Sequence, residues 1–371
     1  MNILLTNSSE VYGGGEFFVL ELAAALKSRG NGVIVACKPA GLLPVKCRER
    51  EVEVVSMDFP PKERLIFFIR AIRDLVRNRN IDIVHTNSNY DRTAGAFAAR
   101  LSGRPHITNV HSFHSLQHNL THWVRNRFAT DHFLVDGVCV RDLLVRKDGI
   151  DPGKISVVYL GVDPEAMKRD EVLRTRVRKE LGVTEGTILL GNVGRLVPMK
   201  GQEHLVRAFA MIAAAFPAAR LAIIGDGELH DHLIRLSAQL GVAGSVVFPG
   251  FRDDLAAVYS AFDVYVHPSI EGGGETFPFA VLQALSQELP VIVTRVGDVP
   301  AMVEEGVNGF VVPDARPDEL AAKMKLILEQ DSLRISMAAA SRSRLLAQFT
   351  TGRMVDEIVG IYDAVLRNSR L

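Results

Sequence analysis

Short apolar runs alternate along the chain with longer segments whose apolar residues recur three and four positions apart. Residues 2–6, 33–37, 52–56, 81–87 and 106–110 read as strands buried on both faces, and the intervening segments 16–30, 62–80 and 91–103 carry the helical period. The pattern then restarts. Residues 187–194, 220–227, 245–250, 263–269 and 290–294 are the strands of a second series, with helices at 201–216, 228–241 and 253–262. Alternation of this kind predicts α/β architecture, a parallel sheet covered on both faces, here twice over. Between the series the strand pattern stops after Gly161 and a charged, arginine-rich stretch follows, which reads as a linker over 164–184. The predicted organisation is a domain at 1–163, the linker, a domain at 185–350 and a final helical segment at 351–371. Two doubly wound domains facing each other would share one cleft, because such sheets bind ligands beyond the carboxyl ends of their strands.

Composition agrees with two soluble domains. The chain has 371 residues, 47% hydrophobic and 23% charged, enough apolar material for two cores. Formal net charge is zero, so no nucleic-acid role has an electrostatic footprint. Cys37, Cys47 and Cys139 have no metal-type spacing and read as free thiols of a reducing compartment. The first ten residues lack the basic start and apolar run of a leader, and no apolar run is long enough to span a bilayer. The expectation is a cytoplasmic protein.

Three stretches carry candidate chemistry. Gly13, Gly14 and Gly15 follow the first strand and precede a helix expected to start at Glu16 or Phe17. Glycines there expose backbone N–H groups at a helix N-terminus, a seat for phosphate or hydroxyl oxygens, although a simple tight turn needs them equally. Their spacing is neither a dinucleotide fingerprint nor a Walker loop. Arg195 and Lys200, in GNVGRLVPMKG, follow the first strand of the second series. A guanidinium and an ammonium beside free helix N–H groups suit a diphosphate, while a pair of surface cations is the plainer alternative. The third is HPSIEGGGETFPFAVLQALS, residues 267–286. Thr276 can cap a helix beginning near Phe277, and Pro278 suits its first turn. Glu275 and Gln283 would then stand roughly 12 Å apart along the axis. That exceeds one metal site and the ~5–5.5 Å between the carboxyls of a retaining glycosidase. It suits an extended ligand with hydroxyls near both ends, and the glycines at 272–274 let such a ligand approach the backbone. Glu271 with Glu275 as an acid pair is the alternative.

Taken in order, Gly-Gly-x-Glu after the first strand, GRLVPMKG, GDGEL, and Pro-Ser followed by a Glu-x7-Glu-like element resemble the retaining family 4 glycosyltransferases of the GT-B fold. The resemblance runs through nearly the whole chain, including ISVVYLGVD at the domain junction and GVNGFVVP near residue 310. It implies two Rossmann-like domains, the first binding the acceptor and the second a nucleotide diphosphate sugar, with the last helix crossing back to the first. By resemblance Arg195 and Lys200 hold the donor diphosphate, Glu275 binds donor-sugar hydroxyls with Gly274, Thr276 and Phe277 beside it, and Gln283 contacts the ribose. Gly13 and Gly14 match the N-terminal glycine loop, and His111, in NVHSFH, matches the histidine near the reacting sugar. Three features depart from the family. Gln283 replaces the usual Glu and offers ribose an uncharged acceptor, a weaker bond. The four residues 271–274 stand where the family runs straight from Pro-Ser into its Glu; the spacing to Gln283 selects Glu275. Ala301 stands where an acid is common.

The implied reaction moves a sugar to a glycan or lipid-linked acceptor with retention, needing no metal or other cofactor. Cell-envelope polysaccharide or lipopolysaccharide is the expected product class. A non-catalytic binding protein on the same fold, and a nucleotide-sugar epimerase or hydrolase, are the rivals; a nicotinamide oxidoreductase lacks its Gly-x-Gly-x-x-Gly. Spacings of four would place His114, His118 and His122 on one helical face, a conceivable zinc arrangement with no further ligand at a convincing distance. The helix at 62–79 carries Arg64, Arg70, Arg73, Arg77 and Arg79 beside Phe67, Phe68 and Ile69. It is either an ordinary helix burying one stripe or a basic surface laid peripherally on anionic lipid headgroups.

Overall fold

A computed structural model describes residues 1–59, 65–272 and 274–369. The chain forms two compact units, one of Met1–Gly161 with Thr351–Leu371 and the other of Val162–Thr350. Each is built on a parallel sheet flanked by helices. The first sheet has seven strands: β1 (Asn2–Asn7), β2 (Gly32–Cys37), β3 (Glu53–Ser56), β4 (Ile83–Thr86), β5 (His106–Val110), β6 (His132–Val135) and β7 (Ile155–Val157), in the order β3-β2-β1-β4-β5-β6-β7. The second has six: β8 (Ile188–Val193), β9 (Ala219–Ile224), β10 (Val246–Val247), β11 (Val264–His267), β12 (Val291–Thr294) and β13 (Gly309–Val312), in the order β10-β9-β8-β11-β12-β13. Central strands such as β1, β4 and β12 are buried on both faces, which is why each carries consecutive apolar residues and no alternation. The edge strand β3 keeps only partial cover.

Strand order locates the sites. In each sheet the chain winds outward to one side, then returns and winds to the other. The reversal falls between β1 and β4 in the first unit and between β8 and β11 in the second. At these places the loops leaving neighbouring strands diverge and open a crevice at the strands' carboxyl ends. The loops after β1, β8 and β11 are the ones carrying Gly13, Arg195 with Lys200, and Glu275.

Residues 164–184 are not a linker. They hold the helix Glu171–Glu180, and the stretch belongs to the second unit. Its arginines grip that unit's frame. Arg174 and Arg178 meet the Asp263 carboxylate at 2.6 and 3.0 Å, and Arg174 also donates to the carbonyls of Ser260, Ala261 and Phe262. Those carbonyls end the helix Leu255–Ala261, where cations are favoured. The charge of Arg174 and Arg178, which reads as part of a linker along the chain, is taken up by Asp263 and a helix terminus.

The last helix, Thr351–Asn368, packs in the first unit: Arg29 donates to the Gly352 carbonyl and pairs with Asp356, both at 2.9 Å. Three strands escape the sequence pattern, β6, β7 and β13, each three or four residues long. The helix after β1 begins at Gly14 rather than at Glu16 or Phe17. Within the helix Leu65–Asn78, Phe68, Ile72 and Val76 form the buried stripe, while Ile66 and Phe67 are 66% and 69% exposed on the side that also exposes Arg70 and Arg77. Residues 62–64 of that expected basic segment, Arg64 included, lie outside the described residues. Among the described residues no helix is long and apolar enough to cross a membrane.

Candidate active site

In the second unit two loops from the reversal point are locked together. After β8 comes a short 3-10 turn, Pro198–Lys200, then Gly201 at φ +65° and the helix Gln202–Ala213. A Cβ at Gly201 would collide with the Pro268 carbonyl oxygen, so only glycine lets this turn lie against the loop after β11. Ile270 N–H donates to the Met199 carbonyl at 3.0 Å, and Thr294 donates its hydroxyl to the Ser269 carbonyl at 2.5 Å. Lys200 is thereby carried to Glu275.

Glu275 is 13% exposed and its Oε2 collects three donors. Lys200 Nζ makes a short ion pair with it, Ser269 Oγ donates at 2.9 Å, and His267 Nε2 lies at 3.3 Å. Among the described residues Oε1 accepts from none. Burial by itself would push this carboxyl up; the Lys200 charge and the His267 contact outweigh it and hold Glu275 far below the usual range. It is a carboxylate with one oxygen anchored and one to offer. The backbone is held too: Asp298 N–H donates to the Thr276 carbonyl at 3.0 Å, and Gly297, at φ +51°, has no room for a Cβ against the Glu275 carbonyl.

Arg195 is exposed, and no described residue engages its guanidinium, while its carbonyl accepts from Gln202 Nε2 at 3.0 Å. Gly274 has φ +73° with open space around it, and Gly273 lies outside the described residues. Thr276 is buried and is not the helix cap; the helix is Phe279–Ser286 with Pro278 as its N-cap. Phe277 is buried against the Phe349 ring, centroids 5.4 Å apart. Gln283, the fifth residue of that helix, is 5% exposed and its side-chain amide hydrogen-bonds no described residue. Glu271 is exposed, its N–H donating to Asp314 at 2.8 Å, and forms no acid pair with Glu275.

In the first unit Gly13 caps the first helix. Its N–H donates to Glu16 Oε2 at 2.9 Å, and Asn7 Nδ2 donates to Glu16 Oε1 at 3.1 Å. A Cβ on Gly13 or Gly15 would meet nothing closer than 3.5 Å. The protein's own packing therefore does not demand glycine at these two positions. His111 stands beside this turn, edge-on to Phe18 at 4.8 Å, with Nδ1 2.8 Å from Asp136 and Nε2 3.2 Å from Asn109 Nδ2.

Sequence reading passed over His267, Ser269 and Asp136. The first two were legible as polar residues closing the apolar strand VYVH, and Asp136 follows β6, which itself had no visible period. The histidine row is not a helical face: the helix there is only Leu120–Val124, so His114 and His118 lie outside it. His114 contacts Ser112 and Asn89, and His118 N–H donates to His122 Nδ1. Among the described residues no group of three or more His, Cys, Asp or Glu could hold a metal ion.

Residues 12–166 match the family model for Glycosyltransferase Family 4, and residues 174–344 match that for Glycosyl transferases group 1. The chain is 29% identical over 317 residues to a D-inositol 3-phosphate glycosyltransferase of Stackebrandtia nassauensis, covering 78% of this chain and 69% of that protein. It is 28% identical over 311 residues to an Escherichia coli UDP-Gal:alpha-D-GlcNAc-diphosphoundecaprenol alpha-1,3-galactosyltransferase, covering 79% of this chain and 78% of that one. Among solved structures, Anabaena HepE in complex with UDP superposes with a TM-score of 0.87 at 21% identity, covering 98% of this chain and all of that one. A glycosyltransferase from Rickettsia africae superposes at 0.89 with 21% identity and 99% of each chain covered. With two parallel-sheet Rossmann-like domains and both halves matched, the chain has the GT-B fold and belongs to the family 4, group 1 glycosyltransferases.

Proposed function

We propose that this glycosyltransferase moves a sugar from a nucleoside diphosphate sugar to a glycan or lipid-linked acceptor, with retention at the anomeric carbon. The observation that carries the reading is Glu275, anchored through Oε2 by Lys200, Ser269 and His267, with Oε1 uncommitted, at the reversal point of the second sheet. Oε1 accepts donor-sugar hydroxyls. Lys200, beside it, and Arg195, whose guanidinium has no protein partner among the described residues, take the diphosphate. Gln283 offers its amide oxygen to the ribose.

In the reaction the bond from the anomeric carbon to the diphosphate breaks with its electron pair leaving on phosphate oxygen. The acceptor oxygen bonds to the same face of that carbon, and its proton passes to the leaving phosphate. Negative charge grows on the diphosphate, where Arg195 and Lys200 stabilise it electrostatically, the part a metal would otherwise take. Lys200, already held at this loop by Glu275, is in position before the charge develops. The first unit takes the acceptor. Gly13 and Gly14 lie at a helix N-terminus, where donor or acceptor oxygens can be received, and His111 stands beside that turn.

The E. coli relative's lipid-linked acceptor supports an acceptor of that kind, and with it cell-envelope polysaccharide or lipopolysaccharide synthesis at the cytoplasmic membrane face. The exposed Ile66 and Phe67, with Arg70 and Arg77, supply an amphipathic contact for an anionic bilayer surface. The test is thermal shift against UDP, GDP, ADP and CMP, each with and without EDTA. Stabilisation by one nucleoside diphosphate, unchanged by chelation, is expected. No shift with any of them would favour a binding protein of other specificity and overturn the donor assignment.

A further inference from the structure

His111 does not stand alone in the first unit. Behind it runs an unbroken row of buried polar side chains. Tyr362, on the last helix, has its hydroxyl 2.6 Å from His85 Nδ1; His85 Nε2 is 2.9 Å from Asn109 Oδ1; Asn109 Nδ2 is 3.2 Å from His111 Nε2; His111 Nδ1 is 2.8 Å from Asp136 Oδ2. Tyr362 and His85 are fully buried and Asn109 is 2% exposed. Such a row needs explanation, because buried polar groups are costly unless each finds its partner.

The donor and acceptor roles are forced. Burial drives His85 down to about 3, against the opposing hydrogen bond it makes to Asn109, so its ring carries one proton. Burial likewise pushes the Tyr362 phenol up, so it keeps its O–H. Asn109 Oδ1 can only accept, which puts the His85 proton on Nε2. His85 Nδ1 is then a bare lone pair, and Tyr362 donates to it. Asn109, its amide oxygen engaged by His85, turns Nδ2 toward His111 and donates to Nε2. His111 must therefore carry its proton on Nδ1, where the Asp136 carboxylate accepts it. Every bond points the same way, from the C-terminal helix toward Asp136.

We infer that Tyr362, His85 and Asn109 are positioning residues that hold His111 in a single ring orientation, with Nδ1 protonated and Nε2 as the acceptor. The last helix is in this way part of the reaction site and not only a brace. The inference rests on His111 acting near the reacting sugar. With the chain run backwards, Asn109 Oδ1 would face His111 Nε2 and require a proton there as well, giving an imidazolium between Asn109 and Asp136. A polar row is worth its burial only if one of the two directions is selected, and Tyr362 with His85 selects the first.

The test uses the full chain with 15N-labelled histidine. Side-chain nitrogen shifts distinguish a protonated ring nitrogen from a lone-pair one, and they are read without substrate. Wild type at pH 8 should show His111 with the lone pair on Nε2 and His85 with the lone pair on Nδ1. Asn109→Asp is nearly isosteric but cannot donate to Nε2; it should put a proton on His111 Nε2. Release of nucleoside diphosphate from UDP-, GDP- and ADP-sugars should then fall at least about tenfold in kcat with KM for the donor little changed. Tyr362→Phe keeps the ring and removes one donor; it should move the His85 Nδ1 resonance and lower kcat several-fold. A protonated His111 Nε2 in the wild type overturns the assignment. So does an Asn109→Asp protein that shifts the tautomer yet turns over normally, or a Tyr362→Phe protein with wild-type resonances and rate. His111→Ala separates the two readings: full activity in it would remove His111 from the reaction, while the nitrogen shifts would still report whether the row exists.

Discussion

Replacing Lys200 by Met removes the ammonium while keeping much of the stem, and leaves Glu275 with Ser269 and His267 as its partners. Taking one member from a fully buried ion pair costs about 3–5 kcal/mol, and exposed pairs are worth less than about 1. This pair lies between, at 22% and 13% side-chain exposure, and Ser269 and His267 remain on the carboxylate. A loss of about 1–2 kcal/mol follows from that intermediate position. For a unit the size of Val162–Thr350 it lowers the melting temperature by about 2–8 °C. The pH dependence has a definite sign. The folded carboxyl is depressed, so its stabilisation is complete above the unfolded value of about 4.3 and is lost as pH falls through the folded value below it. The deficit of the variant should therefore be full at pH 7 and shrink below about pH 4. Binding should fall separately. A charge-assisted hydrogen bond to phosphate contributes about 1.5–3 kcal/mol, so affinity for the nucleoside diphosphate should drop about 10–150-fold. Scanning calorimetry across pH and titration calorimetry at pH 7 measure the two effects. A variant that melts with the wild type at pH 7 and binds the diphosphate as tightly would refute the reasoning.

Arg195→Ala should leave the melting temperature within about 1 °C, since the guanidinium is exposed and has no described partner, yet cut turnover by orders of magnitude. Near-normal activity in both it and Lys200→Ala would sink the diphosphate assignment. Gly201→Ala forces a Cβ onto the Pro268 carbonyl at a left-handed φ; it should destabilise by more than about 1 kcal/mol and weaken nucleotide binding by displacing Lys200, both read by calorimetry. Gln283→Glu should keep or tighten nucleotide affinity, and a large loss would mean that the amide serves something other than ribose. Ile66→Ser with Phe67→Ser should abolish sedimentation with phosphatidylglycerol vesicles while leaving diphosphate binding intact; unchanged sedimentation removes this helix from the membrane reading.

The sequence alone determined a good deal. Two series of apolar runs separated by helix-period segments are enough to specify two parallel sheets, because a strand covered on both faces is predominantly apolar. The loops carrying Glu275, Lys200 and Arg195 were legible as strand ends, since a parallel sheet delivers every strand's end to one edge, while the roles given to these residues and to Gln283 came from the family resemblance. Tertiary structure decided the rest. The short strands β6, β7 and β13 have no period of their own and exist because a neighbour pairs with them. Arg174 and Arg178 read as part of a charged linker until Asp263 and the carbonyls at 260–262 are brought beneath them. Lys200 joins Glu275 only because Gly201 lets two loops touch. The row from Tyr362 to Asp136 joins residues 277 positions apart at His85, a distance over which no local pattern carries information. Periodicity reports which face of an element is buried; it is silent on which distant polar group a buried one will meet.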